Sequence, residues 1–258
     1  MRKSKLLAKI RSGQSARVCA MGHFLPFFVR YAAHFNYDAI WFDLEHRAMD
    51  QREVQAILAL CHTYDIDCML RPPTVERNKL YRFMEDGAAG FLVPFVDNAD
   101  IARHLVNATK YPPVGNRGID GAGLDADFGI DAWRAGSTYY EDANRETFIV
   151  AQIETVEGLE NAEAIAAVPG IDALFIGPAD LGRRLALSGT GTTLAQAISR
   201  VAEAAQRHHK AWGLPSGSPE DLKRYKQMGA QLAIWGGDFA LMNVLKTCSQ
   251  QLDEVLAG

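Results

Sequence analysis

Residues 148–181 read FIVAQIETVEGLENAEAIAAVPGIDALFIGPADL, and the reading of this stretch decides the fold. Two apolar runs, FIVAQIE at 148–154 and ALFIGP at 173–178, flank LENAEAIAAV, whose apolar residues recur three and four apart as in a helix packed on a sheet. Both runs are continuously apolar rather than alternating, so both faces of each strand are buried, which is the mark of a parallel sheet. Each run also leads into an acidic residue, Glu154 in the first case and Asp180 in the second.

The same rhythm extends in both directions. Further β-rich runs are ARVCAMG from Ala16, AIWFDLEH from Ala39, DCMLRPP from Asp67, GFLVPFV from Gly90, AWGLP from Ala211 and LAIWGG from Leu232. Helical-period segments such as DQREVQAILALCHTY, VERNKLYRFMEDG and NADIARHLVNATK lie between them. Asp50, Asn98 and Ser218 stand where N-caps belong, and Gly87, Gly170 and Gly229 follow the last apolar turns as C-caps. Eight buried strands alternating with helices favour a closed (β/α)8 TIM barrel over an open doubly wound sheet, and no GxGxxG follows the first strand. At 258 residues, 48% of them hydrophobic, the chain is expected to form a single barrel domain over 1–258.

Composition narrows the function classes. The formal net charge is -4 and the basic residues are scattered, so the electrostatic footprint of a nucleic-acid or anionic-membrane binder is missing and a small-molecule partner is expected. Cys19, Cys61, Cys68 and Cys248 show neither CxxC pairing nor zinc-finger spacing with histidine, and read as small, mostly buried residues of a reducing, cytoplasmic compartment. The start, MRKSKLLAKIRSGQ, is basic like a signal peptide, yet Lys9 and Arg11 interrupt the apolar stretch, so a short amphipathic helix is expected there. One segment breaks the rhythm: residues 111–145 are glycine-dense and too long for an ordinary connection, which predicts a functional loop over the helices or toward a neighbouring subunit.

Catalytic groups of such barrels sit at the carboxyl ends of the strands. Strand two ends Asp43-Leu44-Glu45-His46, strand three ends at Arg71, strand five at Gln152-Ile153-Glu154 and strand six runs into Gly177-Pro178-Ala179-Asp180. Carboxylates crowded at one rim repel in a low dielectric. Glu154 and Asp180 would relieve that repulsion by sharing a divalent cation, with water and substrate completing the oxygen shell that magnesium and manganese prefer. None of the eight runs contains the lysine that a Schiff-base aldolase needs.

The set FDLEH, MLRP, LVPFVDNADIARHLVNATKYPPVGNRG, QIETVEGLENAEAIAAVPGIDALFIGPADL and LAIWGGD resembles the metal-dependent, class II pyruvate aldolases of the HpcH/HpaI family, over essentially the whole chain. Their best-known members cleave 4-hydroxy-2-oxo-heptane-1,7-dioate to pyruvate and succinate semialdehyde. The resemblance implies a reversible retro-aldol cleavage of a 4-hydroxy-2-oxo acid to pyruvate and an aldehyde, with Mg2+, Mn2+ or Co2+ as cofactor. It implies Glu154 and Asp180 as metal ligands, Arg71 on the keto oxygen, and His46 as acid/base oriented by Asp43. It also implies Gln152 lining the pocket, the amides of Ala179 and Asp180 on the pyruvate carboxylate, and a hexameric assembly.

Departures from the family pattern refine the expectation. Asp120, Asp125 and Asp127 make the loop acidic, and if it lay near the aldehyde subsite, with Tyr139 and Tyr140, it would favour a neutral or polyhydroxylated aldehyde over one carrying a second carboxylate. LPSGS in strand seven replaces a more aliphatic stretch and alters pocket shape. The rival readings are a malyl- or citramalyl-thioester lyase, whose basic path for CoA phosphates is not evident, and a non-catalytic small-molecule-binding barrel.

Overall fold

Eight parallel strands pair in chain order and close first to last in the computed structural model, which describes residues 1–256. The strands are β1 (Ala16–Met21), β2 (Ala39–Asp43), β3 (Asp67–Arg71), β4 (Gly90–Val93), β5 (Phe148–Ile153), β6 (Ala173–Ile176), β7 (Ala211–Pro215) and β8 (Leu232–Gly237). All eight coincide with the apolar runs. The helices begin with α1 (Lys5–Arg11) ahead of the barrel and α2 (Pro26–His34), α3 (Gln51–Thr63), α4 (Arg77–Glu85) and α5 (Ala99–Thr109) between the first five strands. They continue with α6 (Tyr139–Glu146) before β5, α7 (Val156–Glu160) and α8 (Ala162–Ala166) after it, and α9 (Pro178–Ser188) and α10 (Leu194–Arg207) after β6. Last come α11 (Pro219–Gln227) and α12 (Ala240–Leu256).

The expected caps form. Asp50 and Glu53 make a reciprocal capping box on α3, Asn98 accepts from the amides of Asp100 and Ile101, and Ser218 accepts from Asp221. Gly87 and Gly229 take positive φ directly after the C-caps of α4 and α11, whereas α8 is capped by Ala167 and Gly170 takes positive φ in the turn beyond it.

The barrel interior is a packed core. Val18, Ala39, Met69, Phe148, Val150 and Phe175 share one buried cluster, into which Leu6 and Leu7 of α1 insert from below. The amphipathic N-terminal helix is therefore the floor of the barrel. Asp67, fully buried at the start of β3, holds it there: its Oδ2 accepts from Ser4 Oγ at 2.6 Å and from the Leu6 amide at 2.8 Å, and its Oδ1 pairs with Arg2. Burial pushes the Asp67 carboxyl up despite those partners. Cys19, Cys61 and Cys68 are buried as expected, whereas Cys248 is exposed on α12.

The 111–145 segment takes one of the two placements expected of it, over the helices. It packs along the outside of α4 and toward the amino end of its own barrel: an added Cβ at Gly118 would face Tyr81, and one at Gly123 would strike the carbonyl of Glu85. Asp125 is consumed internally, its Oδ2 accepting from Arg117 Nη2 and the Tyr139 hydroxyl, each at 2.7 Å. Tyr111, Tyr139 and Tyr140 stack edge to face around that pair. The Asp120 carboxylate turns back on the amide of Ala122. Glycine-rich sequence here builds a small satellite core rather than an acidic wall at the catalytic rim of the same chain, because Arg117 is buried and demands a carboxylate.

At the other end of the sequence, α12 runs 17 residues with none buried. Leu241, Met242, Leu245, Val255 and Leu256 all stand exposed on it, as does Trp235 on β8. No described helix is long and apolar enough to cross a membrane.

Candidate active site

Strand register brings the first cluster together. Asp43 and Arg71 are Cα partners across β2 and β3, both at the carboxyl ends of their strands. Arg71 donates from Nε to Asp43 Oδ1 at 2.9 Å and from Nη2 to Asp43 Oδ2 at 2.7 Å, a two-pronged match of guanidinium to carboxylate. Its Nη1 lies 3.1 Å from Glu45 Oε2. The guanidinium rests 4.8 Å above the Trp41 ring, which meets Phe175 edge to face at 5.4 Å. Arg71 is thus a buried, fixed positive charge with an aromatic floor. Burial alone pushes the Asp43 carboxyl up, but the bond and charge of Arg71 outweigh it, with help from the His46 and Glu45 amides, and leave it below the usual range.

The expected orientation of His46 by Asp43 takes a different form. Asp43 spends its carboxylate on Arg71 and reaches only the backbone of His46, whose amide donates to Oδ1 at 3.4 Å. The His46 imidazole is more than half exposed, with Nε2 3.5 Å from Glu45 Oε2. The physical reason is that Arg71 offers two charge-assisted hydrogen bonds where an imidazole offers one.

The second cluster lies at β5 and β6. Glu154 is buried just past β5, its Oε1 accepting from the Phe95 amide at 2.9 Å and its Oε2 from Gln152 Nε2. Burial raises the Glu154 carboxyl, and the negative charges of Glu45 and Asp180 raise it further, against the bonds from Phe95 and Gln152. Phe95 holds φ at 53° to aim that amide, a left-handed conformation that a bulky residue rarely adopts. Gly177 is glycine for space: an added Cβ would stand 2.7 Å from Glu154 Oε2 and 2.9 Å from Gln152 Nε2. Asp180 is half-exposed in the first turn of α9, with Oδ1 3.5 Å from Arg184 Nη2. No side chain caps α9, so the amides of Ala179 and Asp180 fall in the first turn where a helix has no acceptor of its own.

The donor set fits a hard divalent cation. Glu154 and Asp180 influence one another electrostatically, and Gln152 Oε1 is buried with no partner among the described residues. All the donors are oxygens, as magnesium, manganese and cobalt accept. Among the described residues no group of three or more His, Cys, Asp or Glu stands together, so an ion here would draw at most two carboxylates from the protein.

The sequence named Asp43, Arg71, Gln152, Glu154 and Asp180, which the structure places at the carboxyl end of the barrel, but it did not foresee the contacts of Glu45, Trp41, Phe95 and Gly177 with them. The Pro94-Phe95 step directly after β4 was the available signal for Phe95.

Known proteins share this arrangement of chain. A hydroxypyruvate/pyruvate aldolase from Deinococcus radiodurans is 34% identical over 219 residues, covering 84% of this chain and 78% of the relative. A 2-keto-3-deoxy-L-rhamnonate aldolase from Klebsiella pneumoniae is 34% identical over 227 residues, covering 88% of this chain and 82% of its own. The crystal structure of an HpcH/HpaI aldolase from Desulfitobacterium hafniense superposes with a TM-score of 0.87 at 28% identity, covering 96% of both chains. The family model for HpcH/HpaI aldolase/citrate lyase matches residues 22–243, and the chain belongs to that family.

Proposed function

We propose that the chain is a class II pyruvate aldolase, cleaving a 4-hydroxy-2-oxo acid reversibly to pyruvate and an aldehyde. The observation that carries this reading is the pairing, at one barrel mouth, of a locked Arg71 with a buried Glu154 whose charge has no cationic partner among the described residues. Glu154 and Asp180 would hold a divalent ion, Mg2+, Mn2+ or Co2+, which supplies Lewis-acid charge beside the 2-oxo group when bound.

The chain's own residues account for the rest. Breaking the bond between C3 and C4 sends its electron pair toward the 2-oxo oxygen, and Arg71, already rigid, meets the charge that grows there without reorganising. Asp43 and Glu45 fix the direction of that guanidinium. The amides of Ala179 and Asp180 receive the substrate carboxylate at the start of α9. Gln152, with its free Oε1, orients the group lying over Glu154. His46, its imidazole more than half exposed at the mouth, takes the proton from the 4-hydroxyl.

The relatives' names speak of keto-deoxy sugar acids and of hydroxypyruvate and pyruvate, which supports a hydroxylated aldehyde as partner. We read the protein as cytoplasmic, supported by four unpaired cysteines, and as a homo-oligomer, hexameric by family resemblance. The uncovered apolar residues of α12 support self-association, and sedimentation velocity showing only monomer at micromolar concentration would remove that part.

The test is pyruvate release from 4-hydroxy-2-oxo acids by chelator-stripped protein with each divalent ion returned singly. Turnover restored by an ion supports the reading. Turnover indifferent to EDTA removes the metal, and no turnover with any ion and acid returns the chain to a binding barrel.

A further inference from the structure

A second histidine stands at the same mouth, and the reaction outlined above does not use it. His23 follows β1, and Asp238 follows β8, the two strands that close the barrel. The Asp238 side chain is buried, and its Oδ2 accepts three donors: the Gly22 amide at 2.8 Å, the His23 amide at 3.0 Å and His23 Nδ1 at 2.8 Å. An oxygen that receives three donors leaves Nδ1 no role but to carry the proton. In the neutral imidazole Nε2 is then the lone-pair nitrogen, and among the described residues it has no protein partner, on a side chain 54% exposed.

The corner is tied to the loop that carries His46. The Phe239 ring lies between the His23 ring, at 5.1 Å, and the Arg47 guanidinium, also at 5.1 Å. Arg47 Nη1 donates to the carbonyl of His46 at 2.8 Å. Gly22 makes room, since an added Cβ would sit 3.2 Å from Arg47 Cγ and Nε. A 2-oxo acid head held by Arg71, Glu154 and α9 occupies the arc from β3 to β6. From His46 after β2 the mouth continues to β1 and β8, where Nε2 stands as an acceptor aimed by a buried carboxylate and open to the remainder of such a molecule.

We propose that His23 is a specificity-determining residue whose Nε2 accepts a hydrogen bond from a hydroxyl of the aldehyde fragment. The proposal rests on the aldolase reading and adds what that reading does not contain: a residue that recognises the aldehyde half, selecting hydroxyaldehydes over their deoxy counterparts.

Glycolaldehyde and acetaldehyde differ by that one hydroxyl. The experiment compares kcat/KM for their condensation with pyruvate in wild type, His23→Asn and His23→Gln, with thermal unfolding of each. Asn places an amide donor where Nδ1 was and so keeps the Asp238 bond, but it has nothing at Nε2; Gln reaches the Nε2 position. The glycolaldehyde-to-acetaldehyde ratio should fall roughly tenfold in His23→Asn and largely survive in His23→Gln, at an unchanged rate with acetaldehyde. Equal losses for both aldehydes, or damage in Gln with none in Asn, make the imidazole a structural clamp and overturn the proposal while leaving the aldolase reading intact. Absence of any pyruvate condensation in wild type overturns both.

Discussion

At the β2–β3 corner of the mouth, Asp43 and Glu45 share the Arg71 guanidinium at distances of 2.7 to 3.1 Å. At the β5–β6 corner, Glu154 is more deeply buried yet receives only neutral donors, Phe95 and Gln152, and Asp180 lies no nearer than 3.5 Å to Arg184. The carboxyl groups respond in opposite senses: Asp43 is drawn below the usual range and Glu154 is held above it. The first corner is neutralised within the fold by Arg71, and in the proposed reading the second would be completed by a bound cation.

Breaking the second corner should have the largest effect. Glu154→Ala and Asp180→Ala should each abolish divalent-ion binding, read by titration calorimetry with Mn2+, and lower pyruvate release by roughly 1000-fold or more. Removing the cation of the first corner separates the two: Arg71→Ala should keep the ion yet lose about 100- to 1000-fold in kcat. If Arg71→Ala also lost the ion, the corners would be one unit rather than two.

Finer substitutions sharpen the contrast. Gly177→Ala should push Glu154 and Gln152 off their positions and weaken ion affinity by about tenfold, with the Tm of the ion-free protein little changed. The smallest effect is in acid stability. Between its ordinary and its lowered titration range, Asp43 binds more protons unfolded than folded, so its stabilisation is present above the ordinary carboxylate value and drains away as pH falls through the lowered one. Asp43→Asn should flatten that slope in urea unfolding at stepped pH, by on the order of 1 kcal/mol or less once solvent screening of a half-buried pair is allowed for.

Most of the barrel was legible because its determinants are local: continuous apolar strands, caps at Asp50 and Asn98, and glycines at helix ends. The charged rim was legible for a related reason, since the carboxyl ends of all the parallel strands gather at one mouth. Pairing was not. Asp43 and His46 are three apart in sequence, yet register delivers Arg71 to Asp43 from the next strand. The idea that the 111–145 aspartates could form an acidic wall by the aldehyde subsite failed because nothing in the sequence shows that Arg117 is buried and takes Asp125. The need for glycine at 177 depends on side chains of β5 crossing to β6, a distance that sequence does not contain.

Leu6 and Leu7 stop the barrel from below and the Trp41 and Phe175 rings lie beneath Arg71, so the proposed site has one door, at the carboxyl end of the strands. Traffic through one door forms a queue. In the proposed reaction pyruvate, seated deeper, enters first and departs last, so during synthesis it waits for its aldehyde, and during breakdown it is the fragment that detains the enzyme.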